Sequence, residues 1–374
     1  MVELAEIIQC YGPQYRAKYG GRMLPSHRQV MRAIERCRTP ALGGHVYHCE
    51  ECEETEYHYH SCRNRHCPKC QNGKAQQWLE KQQDMLLAVR YFLVTITLPS
   101  GLRHVARSHQ KLVYDLLFRT SAEAMQHLAG DTRFVGGQVG MVGVLHTWGR
   151  NLSYHPHVHY LVPGGGVAAD GETWLPARKN FLFPVKALSK IFRAKFRDAL
   201  RQTAYFADVP AEVWQQEWVV HGQPVGNGVS VLKYLAPYIF RVAISNKRIL
   251  KLEDGKVTFR YRASDTGRLR TCTLPAKEFI RRFLQHVLPR GFVKVRYYGF
   301  LASGCRPRLA ALRQQLAPLA TDQVSDSDVG SEDEPITEQD SSDVAVVLCS
   351  SCGRPMQRRS IHPGEPYPRG RCPP

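Results

Sequence analysis

Two histidines one residue apart, His157-Val158-His159, stand in the stretch HPHVHYLVP. Side chains alternate along an extended strand, so both imidazoles project from one face. Taken alone, such a pair in a chain with 16 histidines is most often solvated surface. Its flanks argue otherwise. Tyr154, Tyr160, Leu161 and Val162 read as a buried central strand, where an unpaired imidazole is costly. His146 ends the preceding apolar run, and a short turn brings it beside the pair. His155 shares the face but sits ahead of Pro156 at the strand's mouth, as a supporting group. Three imidazoles with an open position make a Lewis acid able to polarise a phosphodiester oxygen. Ligand chemistry by itself favours zinc or manganese over magnesium at such a site.

Cys49-x2-Cys52 and Cys67-x2-Cys70 are two cysteine pairs separated by 14 residues. Each pair sets two thiolates on one tight turn, and two such turns close a tetrahedral Zn²⁺ site. One structural zinc held by Cys49, Cys52, Cys67 and Cys70 is therefore expected. Cys62 and His66 lie in the same loop, with His58 and His60 nearby, so a swapped ligand or a second ion stays open. Arg63, Arg65 and Lys69 ride on this knuckle and would meet phosphates. A later pair, Cys349 and Cys352, has only His362 and Cys372 downstream as partners and reads equally as an incomplete ribbon. Cys10, Cys37, Cys272 and Cys305 have no role assigned.

Tyr234 and Tyr238 lie four apart in VLKYLAPYIFRVAIS, on one helical face that Arg241 continues. Aromatics at that spacing are more often core, and Pro237 between them kinks a helix. A phenol with an ordinary pKa of about 10 attacks phosphorus only with help from a metal or base.

These groups need elements to hold them. Ser26 is read as the N-cap of a helix from His27 to about Cys37 with Val30, Met31 and Ile34 inward. A polar spacer helix is expected over 73–89, and YFLVTITLP reads as a buried strand ending at Pro99. Residues 108–128 and 186–205 have helical spacing. VGGQVGMVGVLHTW and HPHVHYLVP read as antiparallel neighbours joined by GRNLS. A helix over 229–243, a hairpin of KVTFRYR with RLRTCTLP, and a helix AKEFIRRFLQHVL follow. The order implies an α+β fold, a central antiparallel sheet flanked by helices, and not a doubly wound parallel sheet.

The chain of 374 residues carries a net charge of +18, unevenly spread. Thr321–Asp343 holds nine acids and no base, which leaves +27 on the remainder (51 bases against 24 acids). A body that basic reads as a nucleic-acid binder first and an anionic-membrane binder second. No 18-residue apolar stretch occurs, and the first 25 residues hold no apolar signal core. Membrane spanning and secretion are thus not expected, and a cytoplasmic setting keeps cysteines reduced for metal. The absence of a G-x-x-x-x-G-K-[ST] loop argues against a nucleotide-driven motor. Five parts are expected: a helical, zinc- and DNA-binding domain over 1–90, a core domain over 91–302, a helical extension over 303–320, a disordered acidic linker over 321–343 and a cysteine-containing tail over 344–374.

His146 to His159, Lys233 to Asn246, Phe279 to Phe292 and the cysteine segment ending at Cys70 together resemble the two-tyrosine rolling-circle transposases of the IS ninety-one group. That group falls within the His-hydrophobe-His single-strand endonucleases, and the resemblance spans about residues 15 to 302. It implies that His157 and His159, with a third ligand, hold Mg²⁺ or Mn²⁺ against the scissile phosphate of single-stranded DNA. His146 is taken as that ligand by analogy with conjugative relaxases, with Gln138 or a residue near the tyrosine helix left open. It further implies that Tyr234 and Tyr238 are the nucleophiles, that 5′-phosphotyrosine links store the bond energy, and that strand separation falls to host machinery. A plasmid replication initiator or relaxase would share this chemistry. A non-catalytic zinc-knuckle regulator leaves the His and Tyr pairs unexplained, and a tyrosine recombinase reading through His104 and Arg107 leaves the histidine cluster so.

Overall fold

The computed structural model describes residues 2–70, 85–227, 242–263, 266–317 and 346–363. Tyr234, Tyr238, Arg241, most of the segments expected as helices over 73–89 and 229–243, and the acidic run lie outside them.

Two helices open the chain, α1 (Leu4–Tyr19) and α2 (Pro25–Glu35). Val30, Met31 and Ile34 are the buried residues of α2, as their spacing requires. The helix starts earlier than Ser26 would cap it: Leu24 is the cap and Pro25 the first helical residue. Proline's fixed φ suits that first position, where no N–H bond is lost. The next elements are β1 (Gly44–His48), β2 (Thr55–Tyr59) and β3 (Arg90–Thr97). Residues 85–89 are a turn and not the end of a helix; there the Leu87 N–H donates to Tyr91 Oη at 2.9 Å.

After β3 come α3 (Arg103–Ser108), α4 (Gln110–Ala129), β4 (Met141–Trp148) and β5 (Tyr154–Pro163). A small hairpin, β6 (Gly165–Val167) with β7 (Trp174–Pro176), leads to α5 (Val185–Arg201) and β8 (Val220–Asn227). A second hairpin system follows in β9 (Ile249–Glu253), β10 (Lys256–Arg262) and β11 (Leu269–Pro275), then α6 (Ala276–Leu284), β12 (Val295–Tyr298), α7 (Arg306–Leu316) and β13 (Gln357–Ile361).

The central sheet has the order β12-β4-β5-β3-β8 with every neighbouring pair antiparallel. This is the expected α+β architecture. One face, formed by Val94, Ile96, Leu145, Val158 and Tyr160, packs on Val113, Leu117 and Phe118 of α4 and on Phe192 and Phe196 of α5. The other face carries Tyr91, Val142, Val144 and Leu161 under Leu309, Leu312 and Leu316 of α7. A second core joins α1 and α2 to the β9–β11 sheet and α6, through Leu4, Ile7 and Ile8 against Val257, Phe259 and Phe279. The N-terminal helices therefore share their apolar interior with residues 243–287. Among the described residues no helix is long and apolar enough to cross a membrane.

Gly143 shows how tightly the sheet meets α4. It lies opposite Tyr160 in the β4–β5 ladder, and a Cβ there would sit 2.5 Å from the Tyr160 ring. The ring cannot step aside, because its hydroxyl bonds Ser121 Oγ at 2.6 Å and donates to the Phe118 carbonyl at 3.1 Å. Overpacking of this kind costs ~1–3 kcal/mol. Gly143→Ala is expected to lower the urea midpoint accordingly; an unchanged midpoint would mean the strand pair relaxes freely.

Candidate metal centres

The β4–β5 register places His146 directly opposite His157. Alternation along β5 puts His157 and His159 on the face away from α4, and on β4 that same face carries Val142, Val144 and His146. One ligand nitrogen from each of the three lies within 4.8 Å of the others. His157 Nε2 and His159 Nε2 are 3.1 Å apart.

Hydrogen bonding at the far side of the His157 ring sets what its Nε2 is. His157 Nδ1 faces the His155 carbonyl at 2.6 Å, and a carbonyl only accepts, so the proton is on Nδ1 and Nε2 keeps a lone pair. His159 Nδ1 meets Thr95 Oγ1 at 2.9 Å across the β3–β5 pair. The Thr95 hydroxyl can donate to that Nδ1 or accept from it, so the two Nε2 atoms 3.1 Å apart either share the His159 ring proton or turn their lone pairs to a common cation. Cis ligands about 2.1 Å from one ion would be separated by about 3 Å, so the donor set fits a divalent metal. Burial pushes the His157 imidazole down to about 4, which keeps it neutral and ligating at pH 7. His146 is buried at 3% exposure and stacks on Trp148, with centroids 4.8 Å apart and planes at 18°. His155 stands beside the pair and bonds Arg103 Nη2 through its Nδ1 at 3.1 Å. Gln138 is exposed beyond the other end of β4, its backbone bridged to Val167.

The cysteines divide differently from the single site expected of Cys49, Cys52, Cys67 and Cys70. One cluster is Cys37, Cys62, Cys67 and Cys70; the other is Cys49, Cys52, Cys349 and Cys352. The reason is the length of the β1–β2 hairpin. Its five residue pairs run from Gly44↔Tyr59 to His48↔Thr55, about 17 Å at the usual rise. Cys49 and Cys52 form the turn at the closed end, whereas Cys37 precedes and Cys62 follows the open end. No ligand bridges that distance. In the first cluster Cys70 Sγ lies 3.4 Å from Cys37 Sγ and 3.5 Å from Cys62 Sγ. Hydrogen bonding from Cys37, then from Cys62 and Cys67, drives the Cys70 thiol far down toward the thiolate that binds metal. Cys37 was missed in the sequence because it belongs to no Cys-x2-Cys pair.

The knuckle's basic residues are not equivalent. Arg65 donates to the carbonyls of Phe292 and Pro289 at 2.6 and 2.8 Å, and Lys69 pairs with Glu3 at 2.5 Å. Arg63 is exposed. His66 is turned inward and accepts the Leu288 N–H at 3.3 Å, and burial holds its pKa near 3. With Lys294, His286, Trp148 and Val242 it lines a cavity of about 20 Å³. Burial lowers the Lys294 ammonium to about 7, and its Nζ lies 5.4 Å from the Trp148 ring centroid.

Two four-cysteine clusters and an imidazole cluster on an antiparallel sheet are the chain's candidate metal sites, and comparison with known proteins identifies the family. Residues 140–308 match the family described as "Putative transposase", and residues 7–98 match the "Transposase zinc-binding domain". "Putative transposase y4qJ" of Sinorhizobium fredii (strain NBRC 101917 / NGR234) is 43% identical over 335 residues, 84% of each chain. "Transposase for insertion sequence element IS801" of Pseudomonas savastanoi pv. phaseolicola is 30% identical over 288 residues, 71% of this chain and 68% of that one. No solved structure matches the chain. The chain belongs to the insertion-sequence transposases of the IS ninety-one group, with their zinc-binding domain, and its substrate is DNA.

Buried neutral histidines give the fold a pH signature. His286 is 2% exposed, and burial lowers it to about 4 while its Nε2–H donates to the Leu152 carbonyl at 3.3 Å. The unfolded chain takes up that proton near pH 6.5 and the folded one only near 4, so this stability is full above 6.5 and lost as pH falls toward 4. His286→Gln is expected to flatten the decline of the thermal midpoint between pH 7 and 4.5. An equally steep decline would assign it to other groups.

Proposed function

We propose that the chain is a single-strand DNA endonuclease and strand transferase, nicking and rejoining element ends through 5′-phosphotyrosine links in rolling-circle-type transposition. The observation that carries this reading is the convergence of His146, His157 and His159, whose ring nitrogens lie within 4.8 Å of one another, with the two Nε2 atoms of the pair 3.1 Å apart. These residues would hold Mg²⁺ or Mn²⁺, which supplies Lewis-acid polarisation of the scissile phosphate.

The nucleophile is Tyr234 or Tyr238. Its phenolic proton passes to water, its oxygen forms a bond to phosphorus, and the bond from phosphorus to the 3′ oxygen breaks. That oxygen takes up a proton and leaves as a free 3′-OH. The ester conserves the energy of the broken bond, so attack by a 3′-OH on the phosphotyrosine restores a phosphodiester without nucleotide hydrolysis. A second tyrosine permits a second strand to be held and exchanged. Val242, four residues after Tyr238, lines the cavity against Trp148, which itself stacks on His146. Arg103 donates to His155 Nδ1 and so supports the histidine face. Of the expected DNA contacts Arg63, Arg65, Lys69 and Arg241, Arg63 and Arg241 are assigned to the DNA backbone, since Arg65 and Lys69 are bonded within the protein; strand separation is assigned to the host.

Incubation with single-stranded oligonucleotides from the element's ends and Mn²⁺ should give a covalent adduct on denaturing gels. The Tyr234→Phe, Tyr238→Phe double variant should lose it and still bind DNA; a wild-type protein that forms no adduct overturns the reading. Thr95→Val removes the hydroxyl that orients His159 and is expected to weaken Mn²⁺ binding roughly 10-fold, read by paramagnetic resonance titration. Unaltered affinity would mean that the Thr95 hydroxyl does not orient His159.

A further inference from the structure

We infer that Cys49, Cys52, Cys349 and Cys352 form a second zinc site, which clasps the C-terminal tail onto the N-terminal hairpin. The ligands come from positions 300 residues apart, and Cys349 and Cys352 lie outside both family-matched ranges, 7–98 and 140–308.

Four observations carry it. First, the thiols converge: Cys49 Sγ is 3.5 Å from Cys352 Sγ, and Cys52 Sγ is 3.4 and 3.7 Å from those of Cys349 and Cys352. Tetrahedral Zn–S bonds of about 2.3 Å place sulfurs about 3.8 Å apart. A disulfide needs about 2.05 Å, and Cys52 stands near two partners at once, so no covalent pairing describes the cluster.

Second, the two turns are the same device. The Cys49 N–H donates to the Glu54 carbonyl at 2.9 Å, and the Cys349 N–H to the Arg354 carbonyl at 2.7 Å, each five residues on. The residue after each second cysteine has a positive φ, 57° at Glu53 and 72° at Gly353. A conformation disfavoured for glutamate recurs at the matching position, as a knuckle presenting both thiolates requires.

Third, the tail is registered on the hairpin. β13 pairs antiparallel with β1 from Gly44↔Ile361 to His48↔Gln357, which brings the 349–352 turn to the closed end of the β1–β2 hairpin. Ser350 Oγ donates to Glu56 Oε1 at 2.9 Å on the same side. Fourth, Cys49 and Cys349 are buried, and among the described residues their hydrophobic cluster adds just Met356, Tyr47 and Val347. That apolar contact is small for a tail otherwise held by one five-residue strand pairing; a metal supplies what it lacks.

The test is made on the full chain, purified with Zn²⁺ present and freed of loosely bound ions. Mass-spectrometric metal analysis, made with His157→Ala and His159→Ala so that the imidazole cluster takes up no zinc, should give two zinc ions per chain. Cys349→Ser with Cys352→Ser should lower this to one. Cys49→Ser with Cys52→Ser should do the same, and all four together should lose no more than either pair. A tail variant that keeps two zincs, or a wild-type chain that holds one, overturns the inference. A second measurement does not depend on the folding of variants. With a protease site introduced between residues 321 and 343, the cleaved tail should co-elute with the body until a chelator is added. A tail that leaves while zinc is still bound overturns the clasp.

Discussion

The antiparallel pairing of β4 with β5 is the constraint on which the imidazole site depends. Because side chains alternate, a slip of one residue would turn His157 and His159 into the α4–α5 core and bring Val158 and Tyr160 to the other face. The register is held from both sides. Tyr160 fills the space left by Gly143 and is locked by Ser121. Tyr154 bonds Tyr114 Oη at 2.5 Å at the opposite end of the histidine triplet. The positions that keep the ladder in step thus alternate with those that carry chemistry, and the same two-residue period serves both.

A second dependency runs through the zinc-binding segment. β1 and β2 bury little: Gly44 is the one fully buried residue of the two strands. A two-stranded ribbon of that kind is marginal in water. Cysteines at its open end tie it to α2 through Cys37, and those at its closed end meet the tail. Structural zinc contributes folding energy on the order of 10 kcal/mol in small domains, more than such a ribbon's own packing provides. Cys37 and Cys67 also belong to the core of α1, α2, α6 and β9–β11. The first cluster therefore secures the hairpin to the larger body and not only to itself.

Local signals were legible in the sequence wherever periodicity or chain proximity decides the outcome. The 157/159 alternation, the short connection from His146 and the hairpin of β10 with β11 are of this kind, and each is found in place. The α+β class followed from element order. What the sequence did not disclose is long-range. Two Cys-x2-Cys pairs 14 residues apart look like one site until the hairpin between them is given a length. Cys349 and Cys352 look unpartnered until β13 is seen on β1. Thr95 could not be singled out, since its role depends on the β3–β5 register. The tyrosine pair, legible only as a motif, lies outside the described residues.

Net charge identified DNA as a partner, but charge becomes available for binding only where it is not already used. Arg65 closes the turn at residues 289–292 and Lys69 neutralises Glu3, so much of the knuckle's positive charge is engaged within the protein. Elsewhere the outer face of the β9–β11 sheet exposes Lys256 and Arg260, whereas its inner residues Val257 and Phe259 join the second core. That core also holds α1 and α2 and, through Cys37, the first cysteine cluster. A zinc ion bound there stiffens the platform from which these exposed cations project.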